Sequence, residues 1–384
     1  MDYEKLHAQY KQNQVSGRYL KSDILEATFA TWELHLAKVK SGKSVLGKTI
    51  NSYRIGTGSV KVLMWSQMHG NETTTTKALI DFVHFLTSNS VEAKCILEHY
   101  CFCIVPVLNP DGSEVYTRVN ANGVDLNRDF QDVSQPETRF LMDVFHHFTP
   151  HFCFNLHDQR TIFGAGINGK PATISFLAPS FDEKKTYNEV RLKAVAVINK
   201  MNTVLQQLIP DQIGRFDDAF NVNCAGDTFQ ALEVPTILVE AGHFPSDYPR
   251  EITRRYVFIA LVSAFECTDK NFTSESHLAD YLKIPQNEQV FFDFIYKNVR
   301  INYDGSDLLT NFAIQFQEEL VQQEIVFTGY VAKVGSLSGL YGHVEHDAQN
   351  ALYTDGFSNF PELNTKANFS LDSSLEFVNG FIKN

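Results

Sequence analysis

Basic residues are the scarce charge in this chain: 33 Lys and Arg stand against 45 Asp and Glu, a formal net charge of −12. A nucleic-acid binder needs a basic stripe to displace counterions from phosphates, so the balance argues against that class. The surplus acid reads as solubility. Cysteine is thin as well, with only Cys95, Cys101, Cys103, Cys153, Cys224 and Cys267 in 384 residues. That is too sparse for a disulfide scaffold. Cys101, Cys103 and Cys153 lie inside apolar runs, where they read as small buried hydrophobes of a reducing compartment. No second pair accompanies Cys101-x-Cys103, which argues against a zinc knuckle. Long apolar runs are missing too: the longest, around Tyr256 to Cys267, is shorter than the ~18–20 residues a membrane span needs. Met1-Asp-Tyr-Glu-Lys-Leu6 has no apolar stretch behind a basic start, so no signal peptide is expected. A soluble, cytoplasmic protein that binds neither nucleic acid nor membrane is the expectation, and no motif specifies an oligomeric state.

What is present is alternation. Short apolar runs at Val60–Trp65, Cys101–Leu108, His151–Leu156, Thr173–Leu177 and Thr236–Val239 read as strands. Helical spacing runs over Thr73–Leu86, Pro136–Phe148 and roughly Lys184–Leu208. Strands alternating with helices predict an α/β fold with a mixed, mostly parallel sheet covered by helices on both faces. The texture changes near Thr268. Beyond it lie β-rich segments at Gln289–Ile301, Asn311–Gln317 and Glu324–Lys333, separated by turns such as Asp304-Gly305. The expected organisation is a catalytic domain over 1–270, a linker over 271–287 and a small β-rich domain over 288–384.

Four places could carry chemistry. His69-Gly70-Asn71-Glu72 follows a strand-like run, and an imidazole and a carboxylate three residues apart at such a turn can converge on one metal ion, with Gly70 allowing a bend between them. His157 ends the apolar run Phe152-Cys-Phe-Asn-Leu156, where open α/β sheets place their ligands. Glu240 ends the strand-like Pro235-Thr-Ile-Leu-Val239, and a carboxylate there is costly unless it is paired or working. The stretch from Arg118 through Asp125, Asn127 and Arg128 to Phe130 gathers arginines and asparagines at a turn suited to an anion, because the guanidinium fork matches a carboxylate. Alone, each reads equally as a rim histidine, a capping acid or a polar loop.

In order along the chain, His-x-x-Glu, Asn109-Pro-Asp-Gly112, Arg118…Gly-Val-Asp-Leu-Asn-Arg128, the strand-end His157 and the strand-end Glu240 resemble the zinc metallocarboxypeptidase family over residues 45–265. The branch they look most like is that of bacterial carboxypeptidases and murein-peptide amidases. The resemblance implies a zinc carboxypeptidase-like fold and one Zn²⁺ per chain held by His69, Glu72 and His157, which leaves a fourth position for water. It implies that Asp125 orients a histidine ligand, His69, and that Glu240 serves as general base and acid toward zinc-activated water. Arg118 falls where the family stabilises the oxyanion, and Asn127 and Arg128 where it grips a terminal carboxylate. Asp227 falls near the pocket for the last side chain, where an acid would favour a basic residue.

The implied activity is hydrolysis of an amide bond beside a free carboxylate in a small peptide. Some positions depart from the digestive members. Asn71 replaces an arginine, Asp158-Gln159 replaces Ser-Tyr, and no tyrosine lies between Tyr187 and Tyr248 to act as a cap. His-Gly-Asn-Glu and Asp-Leu-Asn-Arg are also similar to the aspartoacylase and succinylglutamate desuccinylase group, so an N-acyl amino acid amidohydrolase is the alternative. Gly164-Ala-Gly166-Ile-Asn-Gly169-Lys170 resembles a P-loop but runs into Pro171 rather than Ser or Thr, and reads as a loop. His343 and His346, three apart on a strand, would face opposite sides and share no ion.

Overall fold

The computed structural model describes residues 1–266, 276–372 and 375–383. They form two compact units, one of residues 1–159 with 172–287, the other of 160–171 with 288–384. The first unit is built on an eight-stranded sheet. Its strands are β1 (Ala37–Lys43), β2 (Thr49–Ile55), β3 (Val60–Ser66), β4 (Tyr100–Val105) and β5 (Phe152–Asp158). β6 (Phe163–Ala165) belongs to the second unit, and β7 (Ile174–Leu177), β8 (Ile213–Arg215) and β9 (Thr236–Ala241) complete the sheet. The order is β1-β2-β4-β3-β5-β9-β7-β8. Its centre, β4-β3-β5-β9, is parallel. The antiparallel pairs are β1/β2, β2/β4 and β7/β9.

Both faces of the central strands are buried, which is why their sequences read as unbroken apolar runs. Val62, Met64, Phe102, Ile104, Phe154, Leu156, Ile237 and Val239 join one core, with Leu79, Phe82, Ile198 and Leu261 from the helices Thr74–Leu86, Glu189–Leu208 and Glu251–Phe265. The alternate residues Leu63, Trp65, Cys103, Val105 and Cys153 join the other, with Leu141, Val144 and Phe145 of the helix Pro136–Phe148. The period of two along each strand thus separates two helix layers. The 184–208 helix starts later than its spacing suggests. Asn188 caps it by accepting from Arg191 N at 2.9 Å, so the helix begins at Glu189.

Of the stretch 271–287, residues 271–275 lie outside the described residues, and Ser276–Lys283 is a helix whose buried Tyr281 accepts a hydrogen bond from Ala178 N. The second unit contains a four-stranded sheet ordered Glu324–Val334, Ser306–Val321, Phe291–Tyr303, Tyr341–Asp347, and a smaller four-stranded sheet from residues 353–382. Stacked aromatics fill it, Tyr296 on Phe312 at 4.8 Å and Phe369 on Phe377 at 4.7 Å between ring centroids. The glycine-rich 164–170 stretch is a hairpin closed by Ala165 N to Lys170 O, with Gly166 and Gly169 at positive φ. His343 bonds Thr161 O and stacks on Phe291, whereas His346 lies against Phe377. Among the described residues no helix is long and apolar enough to cross a membrane.

Candidate metal centre and active site

The site lies at the C-terminal ends of β3, β5 and β9. After β3 the chain passes through Gln67, buried at φ 50, whose side chain donates to Gly70 O and Ser113 Oγ and so holds the turn that presents His69. Gly70 is needed here for close approach rather than for a bend. It is not among the glycines at positive φ, and a Cβ on it would stand 2.0 Å from the carbonyl carbon of Gly112. Gly112 lies in the short helix Pro110–Val115, capped by Asn109, whose Oδ1 accepts from Gly112 N and whose Nδ2 donates to Met68 O. Asn109-Pro-Asp-Gly112 is therefore the buttress behind His69.

Glu72 joins the two histidines. Its Oε1 lies 2.7 Å from His69 Nδ1 and its Oε2 2.8 Å from His157 Nδ1, while the two Nδ1 atoms are 3.1 Å apart. All three side chains are buried, and among the described residues theirs is the cluster whose donor atoms could hold a metal ion, lying within 4.8 Å of one another. Burial pushes the Glu72 carboxyl up, but the two imidazoles outweigh it and hold it well below the ordinary range. Burial pulls His157 down. His69 is pulled down by burial yet ends raised, because Glu72 and Asp125 flank it.

His69 Nε2 is 2.9 Å from Asp125 Oδ1. A proton on Nε2 serves that bond and leaves the Nδ1 lone pair aimed at Glu72 and His157. Two imidazole nitrogens and a carboxylate converging in a buried pocket, with one imidazole fixed by an acid behind it, fit Zn²⁺. Asp125 also accepts from Arg118 Nε at 3.0 Å and from Asn127 N at 2.9 Å. Arg118, with 47% of its side chain exposed, adds a bond from Nη1 to Glu72 Oε1.

Glu240 is the register partner of His157 in the β5/β9 ladder, on the same face of the sheet. Its Oε2 is buried and has no hydrogen-bond partner among the described residues. Burial, then the nearby charges of Glu72 and Asp158, push its carboxyl well above the ordinary range, against the pull of Arg118 and Arg250. Asn127 Oδ1 accepts from Ala225 N, which leaves its amide nitrogen as a donor with no partner among the described residues. Exposed Arg128 donates to Asn127 O and Cys224 Sγ and has no carboxylate partner among the described residues. Asp227, buried in the helix Ala225–Ala231, is pushed up to about 7 by burial.

Residues 29–207 match the zinc carboxypeptidase family. Over that segment the chain is similar to zinc carboxypeptidases. Glu240 lies beyond the matched residues, and only the β5/β9 register brings it beside His157. Similar proteins include carboxypeptidase SOL1 of Arabidopsis thaliana, 26% identical over 44% of this chain and 37% of that protein. Another is probable carboxypeptidase 2 of Arthroderma benhamiae, 30% identical over 26% of this chain and 19% of that one. The chain thus covers well under half of either relative. Among solved structures, a metallo-carboxypeptidase from Burkholderia cenocepacia shares the fold with TM-score 0.52, 18% identity, and coverage of 64% of this chain and 68% of that one.

Two features of this site lie outside any motif. Asp158 accepts from Thr74 N and Thr75 N at 2.8 and 3.1 Å, capping the helix that follows Glu72, and its own N–H donates to Glu72 Oε2. Its place directly after His157 was the available signal. Arg250, ten residues after Glu240, reaches back to both strand ends, and nothing in the surrounding sequence marks it.

Proposed function

We propose that this protein is a zinc-dependent metallocarboxypeptidase that removes residues from the free carboxyl ends of peptides. The single observation that carries the reading is the Glu240 carboxylate, whose buried Oε2 has no hydrogen-bond partner among the described residues, in register with His157, beside the His69–Glu72–His157 cluster. His69, Glu72 and His157 would hold the zinc, and Asp125 would keep His69 in the ligating tautomer. When bound, Zn²⁺ supplies Lewis acidity toward water and the scissile carbonyl. Glu240, raised by burial, is suited to take the proton of the attacking water and return it to the leaving nitrogen. Arg118 is anchored through Nε and Nη1, which leaves Nη2 for the developing oxyanion.

Substrate grip follows from the Asn127 amide nitrogen and Arg128, two donor groups at one surface suited to a terminal carboxylate. Asp227 would set a preference for a basic or amine-bearing last residue. We place the protein in the cytoplasm, on the support of its described cysteines, all unpaired thiols. The named relatives above are carboxypeptidases, which leaves the acyl-amino-acid amidohydrolase reading without support among them.

The test is zinc-loaded protein with a mixed panel read by mass spectrometry: peptides with free or amidated C-termini, diaminopimelate-containing cell-wall peptides, and N-acyl amino acids. Loss of one residue from free-carboxylate peptides alone is the expected result. Cleavage of N-acyl amino acids alone, or no cleavage with zinc bound, refutes it.

A further inference from the structure

Arg250 is 1% exposed although it carries a full charge. Its φ of 58 places it in the left-handed region just ahead of the helix Glu251–Phe265, which costs an L-residue about 1–2 kcal/mol. Strain of that size persists where the surrounding contacts demand it. Nη1 donates to Ala241 O at 2.9 Å and Nη2 to Gln159 O at 2.6 Å. The last two register pairs of the ladder are His157 with Glu240 and Asp158 with Ala241, so both carbonyls belong to the strand ends that deliver the metal ligand and the base. Nη1 also lies 3.8 Å from Asp158 Oδ2. Asp158 in turn holds Thr74 N and Thr75 N and donates to Glu72 Oε2. One guanidinium fork thus spans the ends of β5 and β9 and connects, through one carboxylate, to the segment bearing Glu72.

We infer that Arg250 is a positioning residue whose fork fixes the spacing between the metal-ligand cluster and Glu240. The inference rests on the reading of Glu240 as the base. A lysine offers a point charge on a flexible stem and cannot bridge two carbonyls at set spacing, so Arg250→Lys retains the charge while losing the bracket. Misplacement of a reacting group by about 1 Å costs about 100-fold in rate without a change in ligands.

Three measurements on full-length Arg250→Lys and Arg250→Met test this. They are native-state amide exchange, zinc affinity by competition with a chromophoric chelator, and steady-state kinetics on an N-acylated dipeptide with a free carboxylate. Expected in Arg250→Lys is exchange about tenfold faster at residues 158–160 and 240–243 with the rest of the sheet unchanged. Zinc affinity stays within about threefold, kcat falls by about tenfold or more, and KM moves by less than about threefold. Unchanged exchange, or faster exchange throughout the sheet, overturns the bracket. Normal kcat despite local loosening, or zinc lost in step with kcat, overturns the positioning role. Should Arg250→Met not fold, the lysine variant decides. If the unmodified protein cleaves no peptide, the peptidase reading falls, and the exchange pattern still settles the bracket.

Discussion

His157 and Glu240 sit directly opposite one another in adjacent parallel strands and project from the same face of the sheet. One belongs to the cluster that could hold a metal, whereas the other has a buried oxygen with no hydrogen-bond partner among the described residues. On the proposed reading, a strand pair would set the spacing between metal binding and proton transfer. Glu240→Gln should lower kcat by about 10²–10⁴-fold while zinc affinity changes by less than about threefold. Parallel loss of zinc in a chelator competition would contradict the assignment.

Asp125 touches His69, Arg118 and Asn127 N, but is not one of the three clustered donors. Asp125→Asn should weaken zinc binding by about 10–100-fold, since the histidine loses the acid that fixes its tautomer. Titration of the apo-protein with zinc reads this directly, and an unchanged dissociation constant would remove Asp125 from the metal's support.

Arg128 is exposed and makes no contact-distance ion pair with a carboxylate among the described residues, although its charge reaches Asp227. Arg128→Ala should raise KM about 10–100-fold for peptides with a free C-terminus, the worth of a charged hydrogen bond. Arg128→Lys should restore little of it, because the fork is lost. Equal effects on free and amidated peptides would place the arginine elsewhere in recognition.

The Asp227 carboxyl, raised by burial to about 7 against an ordinary value of 3.8, gives a pH signature. Between those values the folded state holds a proton that the unfolded chain has lost. The group's contribution to stability is therefore fully present below pH 3.8 and is lost as pH rises through 7. Asp227→Asn should match the unmodified protein near pH 4 and exceed its stability at pH 8 by on the order of 2–4 kcal/mol. Urea unfolding at the two pH values checks this, and a gain that is equal at both would rule out a buried acid.

A second acid has the opposite sign. Burial raises the Glu251 carboxyl, but Lys77 at 2.6 Å, Lys11 at 2.8 Å and Arg254 at 3.0 Å outweigh it and bring it down to about 2. Its contribution is present above pH 4.5 and lost as pH falls toward 2. Lys77 is itself pulled down to about 8 by burial, so the pair's net worth is smaller than the glutamate alone suggests. Glu251→Gln leaves buried cations uncompensated and should cost about 3 kcal/mol at neutral pH, with the deficit shrinking in acid. Thermal unfolding at pH 7 and pH 3 distinguishes this from a pH-independent packing loss.

The central strands and the polar side chains at their ends were legible because burial on both faces writes an unbroken apolar run that stops where a polar residue emerges, as at Leu156-His157 and Val239-Glu240. Strand direction was not. Ile174–Leu177 is a run of four residues, and nothing in it shows that it lies antiparallel to β9. The N-terminal helices Tyr3–Tyr10 and Ser22–Trp32 went unread because their apolar periodicity is weak and tertiary contacts hold them. Arg254 clasps Val15 O and Gln12 O, and Lys77 clasps Gly17 O. Arg250 was invisible for a related reason: the hydrogen bonds that tie it to the strand ends go to two carbonyls, and carbonyls leave no mark in side-chain pattern.

Glycine at position 70 shows the same blindness in reverse. The residue was conspicuous, but the surface it must approach, Gly112, is 42 positions away and shares no motif with it.

The order in which the chain is made has a consequence for when the centre becomes competent. His69, Glu72 and His157 leave the ribosome well before Glu240 and Arg250. The strand bearing Glu240 must then insert between β5 and β7, both already synthesised. Arg254, which donates to Gln12 O and Val15 O, arrives later still. On the proposed reading, the residues that would hold the metal are all made at least 83 positions before the base, Glu240.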